Sequence, residues 1–74
     1  MTCTLKITCT DEPGTLQRVL VTVSRRGFEP VGIVGRLQGS RFDLDLSLEG
    51  LRPIPPLVAH LQRLVAVLGV EVVR

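Results

Sequence analysis

Six residues, Asp11-Glu12-Pro13-Gly14-Thr15-Leu16, separate a strand-like segment from a helix-like segment and decide how this chain folds. Before them, apolar and polar residues alternate over residues 3–10, which is the period of a β-strand. After them, apolar residues recur every three or four positions up to Val23, which is the period of an α-helix. A strand is therefore predicted to lead directly into a helix through residues 11–16, here called the first loop.

The residue types of the first loop suggest a role for each position. Asp11 is expected to cap the helix by accepting hydrogen bonds from its first N–H groups. Pro13 is expected in the first helical turn, where no amide donor is needed, and Gly14 lets another group approach the backbone. Because a helix N-terminus carries free amides and partial positive charge, the loop is a candidate seat for a carboxylate. A capped helix start that holds no ligand is the alternative interpretation.

Length and composition describe one small domain over residues 1–74, with 45% hydrophobic residues and a mean hydropathy of +0.35. A domain of this size buries only about 60% of its unfolded surface. So much apolar surface therefore predicts self-association or a partner subunit. The formal net charge of +2 and the single adjacent basic pair, Arg25-Arg26, are too weak for a nucleic-acid binder. No apolar run reaches about 18 residues, so no membrane span is expected.

The two cysteines, Cys3 and Cys9, are interpreted as small buried hydrophobic residues. They have the same strand parity and lie about 20 Å apart in an extended chain, so they cannot form a disulfide with each other there. Free thiols suit a reducing cytoplasm, and the first residues do not resemble a signal peptide. A cytoplasmic location is therefore expected.

The pattern of apolar residues predicts six elements in the order β-α-β-β-α-β. Strands are predicted at residues 3–9, 29–37, 41–49 and 70–73, and helices at residues 13–26 and 55–68. Gly27 and Gly69 are expected to end the helices, and Pro30 favours an edge position for the second strand. This order predicts an α+β, ferredoxin-like fold, with two helices on one face of a four-stranded antiparallel sheet whose centre holds the first and third strands.

Catalysis finds little support in the sequence. His60 is the single histidine and is interpreted as solvated or partly packed. Asp43 and Asp45 share one strand face, for which a solvated sheet surface is favoured over an acid–base pair. No phosphate-binding glycine loop or metal-ligand spacing is present, so no catalytic residue, cofactor or metal is expected. RNA binding would need aromatic residues on the open sheet face, which is predicted to present Thr4, Lys6, Thr8, Asp43, Asp45 and Ser47.

Residues 11–20 resemble the Asn/Asp-x-Pro/Ser-Gly-x-Leu-x-Arg-Val signature of ACT domains, which are small amino-acid-sensing modules with the same element order. Within that family, Arg26-Gly27-Phe28 and the run at residues 61–70 are similar to the short form of the small regulatory subunit of acetolactate (acetohydroxyacid) synthase. The likeness spans nearly the whole chain. It implies a protein without an active site of its own that binds and activates the catalytic subunit of acetolactate synthase.

The resemblance also implies a binding site for an effector such as valine. ACT protomers typically pair side by side through the second strand, with the effector at the interface. Asp11 would hold the ammonium group of the effector, where an amide is common in valine-sensing members, and Gly14 and Thr15 would donate N–H to its carboxylate. The implied site residues are Asp11, Glu12, Pro13, Gly14, Thr15 and Leu16, with Val31, Gly32, Ile33 and Val34 of a neighbouring subunit. A free-standing ACT protein that senses an amino acid for another pathway is the alternative.

Overall fold

Two helices cover one face of a four-stranded antiparallel sheet in a computed structural model that describes residues 2–73. The elements are β1 (Thr2–Thr10), α1 (Thr15–Arg25), β2 (Glu29–Gln38), β3 (Arg41–Glu49), α2 (Ile54–Gln62) and β4 (Val67–Val73). The sheet order is β2-β3-β1-β4, which confirms the predicted fold and the central position of β1 and β3. Neither helix within residues 2–73 is long and apolar enough to cross a membrane.

The hydrophobic core lies between the helices and one face of β1 and β3. Leu5 lies opposite Leu46 and Ile7 lies opposite Leu44 in the ladder, and all four side chains are almost completely buried. The residues between them on each strand are polar and lie on the open face of the sheet, as strand alternation requires. The strict alternation predicted for these two strands is therefore the pattern that separates core from surface.

Gly27 ends α1, as predicted, and Phe28 then turns into the core. The φ angle of Gly27 is +86°, a left-handed conformation that residues with a Cβ disfavour. The N–H of Phe28 donates to the carbonyl of Val23, and the Phe28 ring is buried. Gly50, just after β3, lies against this ring, because a Cβ at Gly50 would be 2.5 Å from Phe28 Cδ1.

The prediction for the last third of the chain is wrong in its boundaries. Helix α2 ends at Gln62 rather than at residue 68, and β4 begins at Val67, so Gly69 lies within a strand and does not end a helix. The leucines and valines of this segment fit both periods, and pairing with β1 decides between them. The Thr10 N–H donates to the Ala66 carbonyl (2.8 Å), and Thr8 lies opposite Gly69.

β2 is an edge strand, as Pro30 predicted, and its pairing with β3 is irregular. Its register against β3 shifts between Pro30 and Gly32, so Val31 forms a bulge. Gly35 faces the Phe42 ring so closely that a Cβ would lie 2.9 Å from Cε1 of that ring. Bulges and prolines are tolerated on edge strands because one side of the strand makes no ladder hydrogen bonds.

Both cysteines are free, and they differ in burial. Cys9 is buried in the core, as interpreted from the sequence, whereas Cys3 is half-buried near the end of β1. Burial raises the pKa of the Cys3 thiol. Burial also raises the pKa of the Cys9 thiol, and the nearby Asp43 carboxylate adds to the effect. Both thiols are therefore protonated and weakly nucleophilic at neutral pH.

Replacing Gly50 by alanine is expected to lower the free energy of unfolding by about 1–3 kcal/mol, because the new methyl group overlaps the buried Phe28 ring. Gly69→Ala is the matched control, since nothing lies within 4 Å of its Cβ position, and its stability should be unchanged or slightly raised. Urea unfolding at one protein concentration measures both. Equal stability of the two variants would contradict the packing of Phe28 against Gly50.

Candidate functional site

The first loop contains a type II β-turn, over residues 12–15, that leads into α1. The Thr15 N–H donates to the Glu12 carbonyl (3.2 Å), so Pro13 and Gly14 are the two central residues of the turn. Gly14 has φ 80° and ψ 3°, the conformation that a type II turn requires at its second central position. Proline is favoured at the first central position and glycine at the second, so the Pro-Gly pair is explained by the turn itself.

The predicted Asp11 cap and the predicted helical position of Pro13 are wrong. α1 begins at Thr15, its N-cap residue is Gly14, and no side-chain hydrogen bond caps it. The turn inserts Pro13 and Gly14 between the carboxylate and the helix, which separates Asp11 from the first helical amides. The Asp11 N–H instead donates to the Ser40 carbonyl (2.9 Å), and its side chain is exposed.

Hydrogen bonds fasten the first loop to the end of β1. The Thr10 hydroxyl donates to Glu12 Oε2 (2.7 Å), and the Glu12 N–H donates to the Thr10 carbonyl (3.0 Å). Thr15 is buried, and its hydroxyl donates to the Glu12 carbonyl at 2.8 Å. Both donors of Thr15 are therefore used inside the turn. The first hydrogen bond of the helix runs from the Arg18 N–H to the Gly14 carbonyl. The N–H groups of Leu16 and Gln17 precede it and have no intrahelical acceptor, so they are the available amides at the helix start.

A cavity of about 410 Å³ lies beside the first loop. Its lining combines the loop and the start of α1 with two apolar side chains of the β2–β3 hairpin: Asp11, Glu12, Gly14, Thr15, Leu16, Gln17, Leu37 and Phe42. The volume falls in the range of small-ligand sites, about 300–1,000 Å³. One wall thus offers amides and carboxylates, and the other offers apolar surface.

Sequence reasoning missed Leu37 and Phe42 as members of this site. They lie opposite each other in the β2–β3 ladder, and Phe42 also lies opposite Cys9, one residue before the end of β1. The tight turn between β2 and β3 was the available signal, because it fixes which residues face each other across the hairpin. Placing that hairpin beside the first loop required the β1–β3 register as well.

The implied pocket residues of β2 lie away from the first loop within one protomer. Val31, Gly32, Ile33 and Val34 do not line the cavity. Ile33 is opposite Leu46, four residues from Leu37, which is about 13 Å along a strand. Val31, Ile33 and Val34 are exposed, as is Leu37. The structure therefore does not bring the two halves of the implied site together in a single chain.

The other candidate residues have ordinary structural surroundings. Asp43 forms an ion pair with Arg41 (Nη2 to Oδ1, 3.2 Å), and Asp45 lies opposite Lys6 on the open sheet face. A shallow concavity of about 500 Å³ on that face is lined by charges of both signs. His60 is half-buried. Among residues 2–73, no group of three or more His, Cys, Asp or Glu is arranged to hold a metal ion.

Comparison with known proteins adds a family to this geometry. Residues 11–70 match the model of a protein family described as ACT domain. No curated protein matches the chain.

Solved structures share the fold at low sequence identity. The ACT domain of GTP pyrophosphokinase from Chlorobium tepidum has a TM-score of 0.84 at 17% identity, covering 99% of this chain and 97% of that one. A homoserine dehydrogenase from Thiobacillus denitrificans has a TM-score of 0.83 at 20% identity, covering 99% of this chain and 17% of that one. The C-terminal domain of the MgtC protein from Mycobacterium tuberculosis has a TM-score of 0.74 at 19% identity, covering 97% and 84%.

Gly14→Ala is expected to lower the free energy of unfolding by about 1 kcal/mol, because the left-handed conformation at this position is strained for a residue with a Cβ. Gly14→Asn should recover part of the loss, since asparagine tolerates this conformation better than alanine. Thermal or urea unfolding of both variants measures the difference. If alanine and asparagine behaved like glycine, the type II turn at the first loop would be excluded.

Proposed function

The chain belongs to the ACT domain family of regulatory amino-acid-binding modules, and on this premise we propose that it is the small regulatory subunit of acetolactate synthase. In this role it has no active site of its own, binds the catalytic subunit, raises its activity and transmits feedback from valine or a similar amino acid. The choice of enzyme rests on the resemblance of Arg26-Gly27-Phe28 and of residues 61–70. A cytoplasmic location is part of the proposal, and the two free thiols agree with it.

The cavity beside the first loop is the observation that carries the effector-binding role. The amides of Leu16 and Gln17 lie at the positive end of α1, where a carboxylate is stabilised. The carboxylates of Asp11 and Glu12 attract an ammonium group, and Leu37 with Phe42 supplies apolar surface for a side chain. These three features match the three chemical parts of an apolar amino acid. The effector must lie with its ammonium group toward Asp11, since the Asp11 carboxylate repels the effector carboxylate.

The edge of β2 is the proposed homodimer interface. β2 is an outer strand of the sheet, and its exposed residues Val31, Ile33, Val34 and Leu37 are apolar. An edge strand with an exposed apolar surface is a template for pairing with another strand. Pairing with the same strand of a second copy across a two-fold axis closes the assembly. Antiparallel pairing reverses the direction of the second strand, so the partner's residues 31–34 approach the cavity end of β2 and complete the site.

Leu37→Lys is expected to convert the dimer to a monomer, because it places a charge at the apolar edge where the two copies meet. Leu37 is 61% exposed in one protomer, so the substitution should leave the fold of the protomer unchanged. Val65→Lys is the matched control: Val65 is 90% exposed, outside β2, and its variant should remain dimeric. Sedimentation analysis over a range of concentrations measures this. A wild-type chain that stays monomeric at high concentration would rule out the interface.

Mixing the chain with a catalytic subunit of acetolactate synthase is expected to give a stable complex and to raise the rate about fivefold or more, a typical effect of coupling free energies of about 1–3 kcal/mol. Valine should reduce this activation. Co-purification and steady-state assays measure both effects, and Asp11→Asn should bind valine more weakly in calorimetry, because a neutral amide loses the attraction of the Asp11 carboxylate for the effector's ammonium group.

Neither co-purification nor a change in rate would exclude the role in acetolactate synthase. If calorimetry with a panel of amino acids then gave binding without a partner, the chain would be a free-standing amino-acid sensor for another pathway. Absence of binding in both experiments would leave the first loop as a helix start that holds no ligand.

A further inference from the structure

The end of α1 that is far from the first loop borders a pocket rich in arginine. Arg25 is the last residue of α1, Arg26 follows it, and Arg52 lies in the connection between β3 and α2. Their side chains line one cavity of about 250 Å³, together with Phe28, Pro53, Pro56 and Leu57. The length of α1 separates this arginine pocket from the first loop by about 16 Å.

Within the described residues, no arginine of this pocket forms an ion pair, although Glu29 and Glu49 line the neighbouring concavity that Arg52 also borders. No aspartate or glutamate lines the arginine pocket itself, and the one ion pair of residues 2–73 joins Arg41 to Asp43 elsewhere. Like charges held close together raise the free energy of the folded chain unless an anion neutralises them. Arg25 is explained by the negative end of α1, which favours cations. This explanation does not extend to Arg52, which comes from a different segment.

Contacts with other elements hold two of the three guanidinium groups in place. Arg26 Nη1 lies 3.1 Å from Nε2 of His60 on α2. Because a guanidinium only donates, Nε2 accepts this hydrogen bond. The Arg52 side chain lies across the backbone of Gly27, where a Cβ would be 2.6 Å from Arg52 Nε. The fold therefore gathers these charges and restricts them, although they repel one another.

We propose that the arginine pocket docks an acidic segment of a partner protein. Carboxylates of the segment pair with the planar forks of Arg26 and Arg52, which match carboxylate geometry. An apolar side chain of the segment packs against Pro53 and Pro56 at the pocket wall.

The size of the pocket favours a protein segment over an enclosed small molecule. The volume is below the range of pockets that enclose small ligands, about 300–1,000 Å³, and the three arginines are exposed. The start of α2 contributes little to anion binding, because Pro55 and Pro56 in its first turn lack N–H groups. Recognition must therefore come from the arginines, and it depends neither on the first loop nor on which enzyme the partner is.

Fluorescence anisotropy with the full chain and a labelled synthetic peptide of alternating Glu and Leu residues tests this proposal. The peptide should bind, its affinity should fall with added salt, and Arg26→Gln or Arg52→Gln should each weaken binding about tenfold. Arg52→Lys should bind with intermediate affinity, because it keeps the charge and loses the fork. Arg18→Gln, an exposed position of α1 outside the pocket, is the matched control and should bind like the wild type.

Several results would overturn the docking site. One is the absence of peptide binding to the wild-type chain, and another is equal loss of affinity in Arg18→Gln, which indicates attraction to net charge alone. Equal binding of a peptide with Gln in place of Glu would exclude carboxylate recognition. Inorganic pyrophosphate is the third arm: tighter binding than the peptide, lost in the same variants, would identify a free-oxyanion site instead. Failure of the acetolactate synthase assay leaves all of these outcomes unchanged.

Discussion

The two-sided pairing of β1 is the constraint on which the rest of the structure depends. β1 forms antiparallel ladders with β3 on one side and with β4 on the other, and Leu5, Ile7 and Cys9 fill the core beneath it. The last residue of this strand, Thr10, bonds to Ala66 before β4 and to Glu12 in the first loop. The position of the candidate site is therefore fixed by a central strand of the sheet. An effector that contacts the loop contacts a segment attached directly to the core.

Sequence patterns predicted the elements whose burial is one-sided and failed where two patterns overlap. Apolar and polar residues alternate strictly in β3 from Arg41 to Glu49. Both the strand conformation and the side of the sheet on which each side chain lies were therefore predictable. Residues 63–68 contain Leu64, Val65 and Leu68 at spacings that suit a helix, and only pairing with β1 shows that the segment leaves the helix after Gln62. Pairing partners are distant in sequence, and a local period carries no information about them.

The first loop illustrates the same limit at the level of single residues. Pro13-Gly14 is compatible with the first turn of a helix and with the centre of a type II turn, and these alternatives place Asp11 differently. In the turn, the N–H and the hydroxyl of Thr15 both donate to the Glu12 carbonyl, so the Thr15 N–H does not donate to a capping carboxylate. The prediction of a carboxylate seat depended on free amides at the helix start, and these remain at Leu16 and Gln17. The identity of the apolar wall, Leu37 and Phe42, required the register of two ladders.

The dipole of α1 explains the positions of some charged residues near its two ends but not of all of them. The acidic residues Asp11 and Glu12 precede its positive end, and Arg25 occupies its negative end, so the dipole accounts for this gradient. Arg52 is outside the helix, and its side chain lies over the backbone of Gly27. The glycine that ends α1 thus has two consequences: it permits the left-handed turn that buries Phe28, and it leaves the space in which Arg52 lies. Gly27 is therefore needed both for the end of α1 and for the position of Arg52 in the arginine pocket. The proposed effector site and the proposed docking site lie at opposite ends of α1, so this one helix connects them physically.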